Sequence, residues 1–149
     1  MKIRLSVSEE RVEEVTDFLT SHGIELDEEA EYVLLQKDIY PGYLTGRSAD
    51  GERAVISADE IITIESYGHT VEIHTARGSF TTSDRLYRLA NSLDPENFIR
   101  VNNSVIVSKT QIREILPTFS MKFILVMNNG TRVDVTRSYY GKFKEFLGI

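Results

Sequence analysis

The chain has 149 residues, 41% hydrophobic and 27% charged, enough apolar material for a core of ordinary globular composition. It contains no cysteine, which excludes disulfides and thiolate metal sites. No apolar run approaches the roughly 20 residues of a membrane span, and MKIRLSVSEERVEE turns acidic where a signal peptide would have an apolar core. A cytoplasmic protein without membrane insertion is therefore expected. The net charge of −6 is unevenly spread. Residues 1–38 hold 4 basic and 11 acidic side chains, whereas residues 98–149 hold 8 basic and 3 acidic. An acidic head on a basic tail is a hint of polyanion binding.

Residues 2–6 alternate like a short strand. A helix is predicted next, capped by Ser8 or Ser6, with glutamates in its first turn and Val12, Val15, Phe18 and Leu19 on one face. Gly23 closes it, and Tyr32 to Leu35 reads as another apolar strand. This head is expected to be an acidic β-α-β extension, residues 1–42, with Asp38-Ile39-Tyr40-Pro41-Gly42 as linker.

Beyond it the chain reads as short strands and tight turns. Strands are expected over 43–47, 53–57, 61–65 and 71–76, separated by Ala49-Asp50-Gly51 and Tyr67-Gly68-His69, with Arg77-Gly78 as a further turn. Ser83 is the predicted cap of a helix carrying Leu86, Leu89 and Leu93, and Asp94-Pro95 ends it. Strands follow over 98–101, 104–107, 112–116, 122–127 and 131–135, the last after Asn129-Gly130. Thr136 or Ser138 caps a final helix in which Tyr140, Phe143 and Leu147 share a face.

Little enzymatic chemistry is legible. No glycine-rich phosphate loop, nucleophile elbow or thiol is present. His69 and His74 are an odd number of residues apart and would face opposite sides of a strand. Glu72 with His74 does not make a ligand set. No cofactor, metal or catalytic residue is expected, and the chain is not read as an enzyme.

The stretch 98-FIRVNNSVIVSK-109 stands out because Asn102-Asn103 interrupts an apolar run. Together with 57-SADEIITIESYGHTVEIHT-75, the helix 83-SDRLYRLANSL-93 and 133-VDVTRSYYGKFKEFL-147, it resembles, in order and over about 100 residues, the LytTR family of bacterial DNA-binding domains. The family usually has His before the second Asn of this turn and Asn at the strand end, where this chain has Asn102 and Ser108. The resemblance implies a mainly β domain over 43–149, an elongated arrangement of short antiparallel sheets with a small helix and a C-terminal helix. It implies duplex DNA bound through loops, in a sequence-specific, bacterial transcription regulator. Many members carry a receiver domain; with only the short head here, control by receiver phosphorylation is not expected.

By the same resemblance His69, Asn103 and Arg137 match the positions that reach base edges or phosphates, and with Asn102 they are the candidate base contacts. Independently, an amide pairs bidentately with adenine and a guanidinium with guanine in the major groove. Arg100, Ser104, Lys109, Lys122, Arg132, Lys142 and Lys144 are the candidate phosphate contacts. Two copies on repeated half-sites, a homodimer at least on DNA, would gain effective concentration. The head is a candidate for dimerisation or for a regulatory protein partner. The alternative is an interaction module that keeps the fold without reading DNA.

Overall fold

The computed structural model describes residues 1–36 and 40–149; the Asp38-Ile39 part of the expected linker lies outside the described residues. The chain divides into two compact units, Met1–Ile39 and Tyr40–Ile149.

In the first unit β1 (Lys2–Ser6) pairs in parallel with both β2 (Glu25–Leu26) and β3 (Tyr32–Leu35), giving the order β2-β1-β3. The crossover is α1 (Glu9–Ser21). Ser8 is its N-cap residue, but its hydroxyl makes no capping bond; its backbone N–H donates instead to Gln36 Oε1 at 2.8 Å. The predicted apolar stripe on α1 is buried only at Leu19, while Phe18 is 62% exposed. A sheet of three short strands is too narrow to cover a full helical face. All four residues of the edge strand β3 are also exposed.

The second unit is built on two sheets. The larger has seven strands in the order β5-β4-β8-β7-β6-β10-β9, every pairing antiparallel. They are β4 (Tyr43–Arg47), β5 (Arg53–Ser57), β6 (Ile61–Tyr67), β7 (Thr70–Thr75), β8 (Gly78–Thr82), β9 (Phe98–Arg100) and β10 (Val105–Ser108). The smaller sheet has the order β11-β12-β13, from Ile112–Pro117, Phe123–Met127 and Arg132–Val135. Two short helices complete the unit, α2 (Leu86–Asn91) and α3 (Arg137–Leu147).

The predicted strands recur with ends shifted by a residue or two. The return strand β8 after Arg77-Gly78 was not anticipated: GSFTT has one large apolar residue, Phe80, and its pairing with β7 and β4 rather than its composition makes it a strand. The helix expected from Ser83 begins later, with Arg85 at the N-cap and no side-chain cap, and ends at Ser92. Gly46 is needed where β4 meets β8, since a Cβ there would lie 3.0 Å from the Thr81 carbonyl oxygen and 3.3 Å from Phe80 Cβ.

Two cores explain the apolar runs. One face of the large sheet packs Leu44, Ile56, Ile64, Ile73 and Ile106 under Leu86, Leu89 and Leu93. The second core joins Val101, Val105 and Val107 to Leu125, Val133, Val135 and Phe143 of the small sheet and α3. Strand β10 thus sends Ile106 into one core and its two valines into the other, which is why 105-VIV-107 lacks polar alternation. A bulge at Ile62 does similar service in β6, turning Ile62 to the second core while Ile61 and Ile64 stay in the first.

Candidate nucleic-acid interface

The Asn102-Asn103-Ser104 segment connects β9 to β10, and the apolar residues beside it are locked. Val101 is fully buried, donates its N–H to the Val105 carbonyl at 3.0 Å and accepts from Thr136 N–H at 3.0 Å. The two asparagines then diverge. Asn102 is half-buried; its Oδ1 accepts from Ser104 N–H at 2.8 Å, and its Nδ2 donates to the Asp134 carbonyl at 2.9 Å. It therefore ties the turn to β13. Asn103 is exposed, its Oδ1 accepting from the Tyr139 hydroxyl at 3.2 Å. Among the described residues its Nδ2 has no protein partner. Arg100 lies under the turn, donating from a terminal guanidinium nitrogen to the Asn103 carbonyl, with its Nε buried and unpaired.

Register brings other turns to the same end of the sheets. Val105 lies opposite Glu65, and Ser66 N–H donates to the Ser104 carbonyl at 2.8 Å, so the far end of β6 adjoins the asparagine turn. The Gly68-His69 turn closes there on the Tyr67–Thr70 pair, with Gly68 supplying the positive φ of 60° that a two-residue hairpin turn needs. His69 is exposed at its tip. The bonds from Asn102 to Asp134, Val101 to Thr136 and Tyr139 to Asn103 set the start of α3, with exposed Arg137, alongside. The Phe123–Val135 pairing puts exposed Lys122 opposite Thr136.

Not every candidate gathers there. Lys109 follows the opposite end of β10, its Nζ 5.2 Å from the Phe146 ring centre. Arg132 pairs with Val126 toward the far turn of the small sheet. Lys144 lies near the end of α3, 5.6 Å over Tyr140, whereas Lys142 is exposed midway along the helix. Ser104 is exposed in the turn itself.

Helix α3 begins unusually for electrostatics. Thr136 makes no side-chain cap bond, no acid occupies the first turn, and the first helical residue is Arg137. Acidic groups are favoured near a helix N-terminus and cations are not. Free N–H groups beside a guanidinium suit an external anion.

The sequence model of the LytTr DNA-binding domain matches residues 51–148. The chain belongs to the LytTR family. A LytTr DNA-binding domain of known structure from Bacillus cereus superposes with a TM-score of 0.68 at 27% identity, covering 72% of this chain and 98% of that one. The sensory transduction protein LytT of Bacillus subtilis is 36% identical over 101 residues, 66% of this chain and 42% of that protein. The transcriptional regulatory protein LytR of Staphylococcus aureus (strain N315) is 28% identical over 100 residues, 67% of this chain and 41% of its own length. LytT and LytR are thus each matched over less than half of their own length.

Within this LytTR domain, Ser108 fills the strand-end position noted above. It is buried, with Asn97 Nδ2 3.3 Å and Thr110 Oγ1 3.2 Å from its hydroxyl, so it serves strand-end hydrogen bonding. Tyr139 is half-buried on α3, and its hydroxyl contact to Asn103 has no local signal in the sequence: the two are 36 residues apart. On the outer sheet face Tyr67 donates to Glu65 Oε2 at 2.6 Å, a bond that pushes the phenol up to about 12 and keeps it neutral. His74 Nε2 lies 3.6 Å from Glu72 and its Nδ1 2.8 Å from Ser79 Oγ. Among the described residues no group of three histidine or acidic side chains is placed to hold a metal ion, and no described helix is long and apolar enough to cross a membrane.

The opening interruption of the apolar run has two structural components: Asn102 builds the turn, and Asn103 is presented by it. Replacing Asn102 by alanine removes the acceptor for Ser104 N–H and the donor to Asp134. It is expected to destabilise the domain by about 1–2 kcal/mol. Urea unfolding of the full chain checks this; an unchanged midpoint would show that the tie contributes nothing.

Proposed function

We propose that the chain is a transcription regulator that binds duplex DNA specifically through this end of its LytTR domain. Asn103 is the central reader, presented on a buried strand pair, with His69 and Arg137 reaching bases from the adjoining turns. Asn102 acts chiefly by holding Asn103. Lys122, Ser104, Lys142 and the start of α3 suit phosphates; Arg100 acts through the turn it supports. Lys109, Arg132 and Lys144 stand farther off and would meet only backbone flanking the site. The observation that carries this reading is the convergence of three exposed polar turns on one end, with the Asn103 amide nitrogen left free for a base edge. A side chain held by packed elements loses little further freedom on binding.

Two copies on repeated half-sites are part of this proposal. The exposed edge strand β3 of the first unit, Tyr32-Val33-Leu34-Leu35, supports a protein contact there, since an unpaired apolar edge readily accepts another strand. If that contact is a homodimer, the full chain sediments as a dimer and a chain lacking residues 1–42 as a monomer; the same oligomeric state for both would assign the edge to another partner.

The proposed function is tested by selection from a random duplex pool at about physiological salt, where nonspecific binding is weak. An enriched motif with a repeated half-site is expected. Weak, salt-labile retention without enrichment would favour an interaction module that keeps the fold.

A further inference from the structure

At the other side of the large sheet, β4, β5 and β8 enclose an open groove of about 600 Å³, lined by Arg47, Arg53, Thr45, Thr81, Thr70 and His69 among others. Its lining contains no carboxylate. Arg47 and Arg53 are direct cross-strand partners, so two guanidinium side chains leave the same face from adjacent strands. Like charges so placed destabilise a sheet pair, and among the described residues neither is ion-paired to an acid. Arg47 donates to the Gly51 carbonyl at 2.9 Å, which holds it beside the turn, and both arginines are exposed. Asp50 and Glu52 stand in that turn and Glu72 lies across Thr81, outside the lining, so the positive charge is local rather than a broad field.

Register gives the groove its meaning. Arg47 pairs with Thr81, Thr81 with Glu72, Glu72 with Glu65 and Glu65 with Val105, one row running straight across to the asparagine turn. The groove therefore opens at the same end of the sheet as His69 and Asn103. Four strand spacings separate β4 from β10, about 19 Å along the sheet, comparable to the width of a duplex. We propose that this groove is a second, sequence-independent contact to the DNA backbone, with Arg47 and Arg53 holding phosphates that flank the bases read at Asn103. It rests on the DNA-reading function above.

The experiment compares the full chain with its Arg47→Ala/Arg53→Ala variant on duplexes carrying the selected half-site with no flank, or with a flank on either side. On one flanked duplex, whatever the flanking sequence, the variant is expected to bind more weakly, and the slope of log affinity against log salt to shrink by about 1.8, or 0.9 for each lost phosphate contact. A fourfold rise in salt then costs the parent about 12-fold more affinity than it costs the variant. The two proteins should agree on the unflanked duplex. Arg47→Lys/Arg53→Lys should restore the slope, because lysine also displaces counterions; a slope that stays low would mean the arginines act by shaping the hairpin and would overturn the proposal. Equal slopes for parent and alanine variant would also overturn it, while leaving specific binding intact. Competition by inorganic phosphate at constant ionic strength would reassign the groove to a small free anion. A parent chain that retains no duplex at all would overturn the DNA reading and this inference together.

Discussion

Asn103→Ala is expected to lower affinity for the preferred duplex by about 5- to 150-fold, the equivalent of the roughly 1–3 kcal/mol that one bidentate base contact contributes. The side chain is exposed and makes one internal hydrogen bond, to Tyr139, so stability should hardly change. The informative readout is position by position. Loss of discrimination confined to one base pair of the selected motif marks a base contact, whereas uniform weakening across all sequences marks a phosphate contact. Tyr139→Phe should give a smaller loss at that same base pair, because it removes only the hydroxyl that orients the amide. Arg137→Ala provides the contrast: a base role relaxes a second position, and a phosphate role reduces the salt slope by about 0.9. If Asn103→Ala leaves every position as selective as before, Asn103 is not the reader.

Phe143→Ala should have the largest effect on the fold, about 3–5 kcal/mol. Phe143 is fully buried in the second core, its ring 5.6 Å from that of Phe123, which in turn stacks on Tyr140 at 4.8 Å. Domains of this size are commonly stable by about 5–15 kcal/mol, so much of the margin would go. The consequence for function is indirect but specific. Helix α3 carries Arg137 and Tyr139 to the asparagine turn, and a helix of 11 residues with no side-chain cap depends on its packing. DNA affinity should therefore fall even under conditions where the variant remains folded. Urea unfolding with and without the selected duplex measures both effects. Undiminished affinity from a variant with a loosened α3 would show that the helix does not position the interface.

How much of this was legible beforehand depends on the range of the physics involved. The strands at 43–47, 53–57, 112–116 and 131–135 and the final helix were readable because alternation, glycine turns and a Tyr140-Phe143-Leu147 stripe are local signals. Strand β8 was missed because GSFTT is held by its neighbours, and the start of α2 was misplaced because Ser83 is a plausible cap that the chain does not use. On α1 the periodicity was real, yet Val12 and Phe18 stay exposed; a moment in the sequence states which face is apolar, not whether anything covers it.

The candidate interface divides along the same line. From sequence alone, Asn102 and Asn103 are equivalent amides in a turn, and Lys109 and Lys122 are equivalent basic residues. Their roles separate only when Val105 meets Glu65, Phe123 meets Val135 and Asn102 meets Asp134. The sequence by itself determined the mainly β class, the family and the set of polar turn residues, since these rest on residue type and spacing. Tertiary structure decided which turns share an end, which asparagine is bound up and which is presented, and that Arg47 faces Arg53 in the same row. The reason is that strand order and register are set by burying two cores at once, through partners tens of residues apart, and a side-chain period of two residues says nothing about which strand lies alongside.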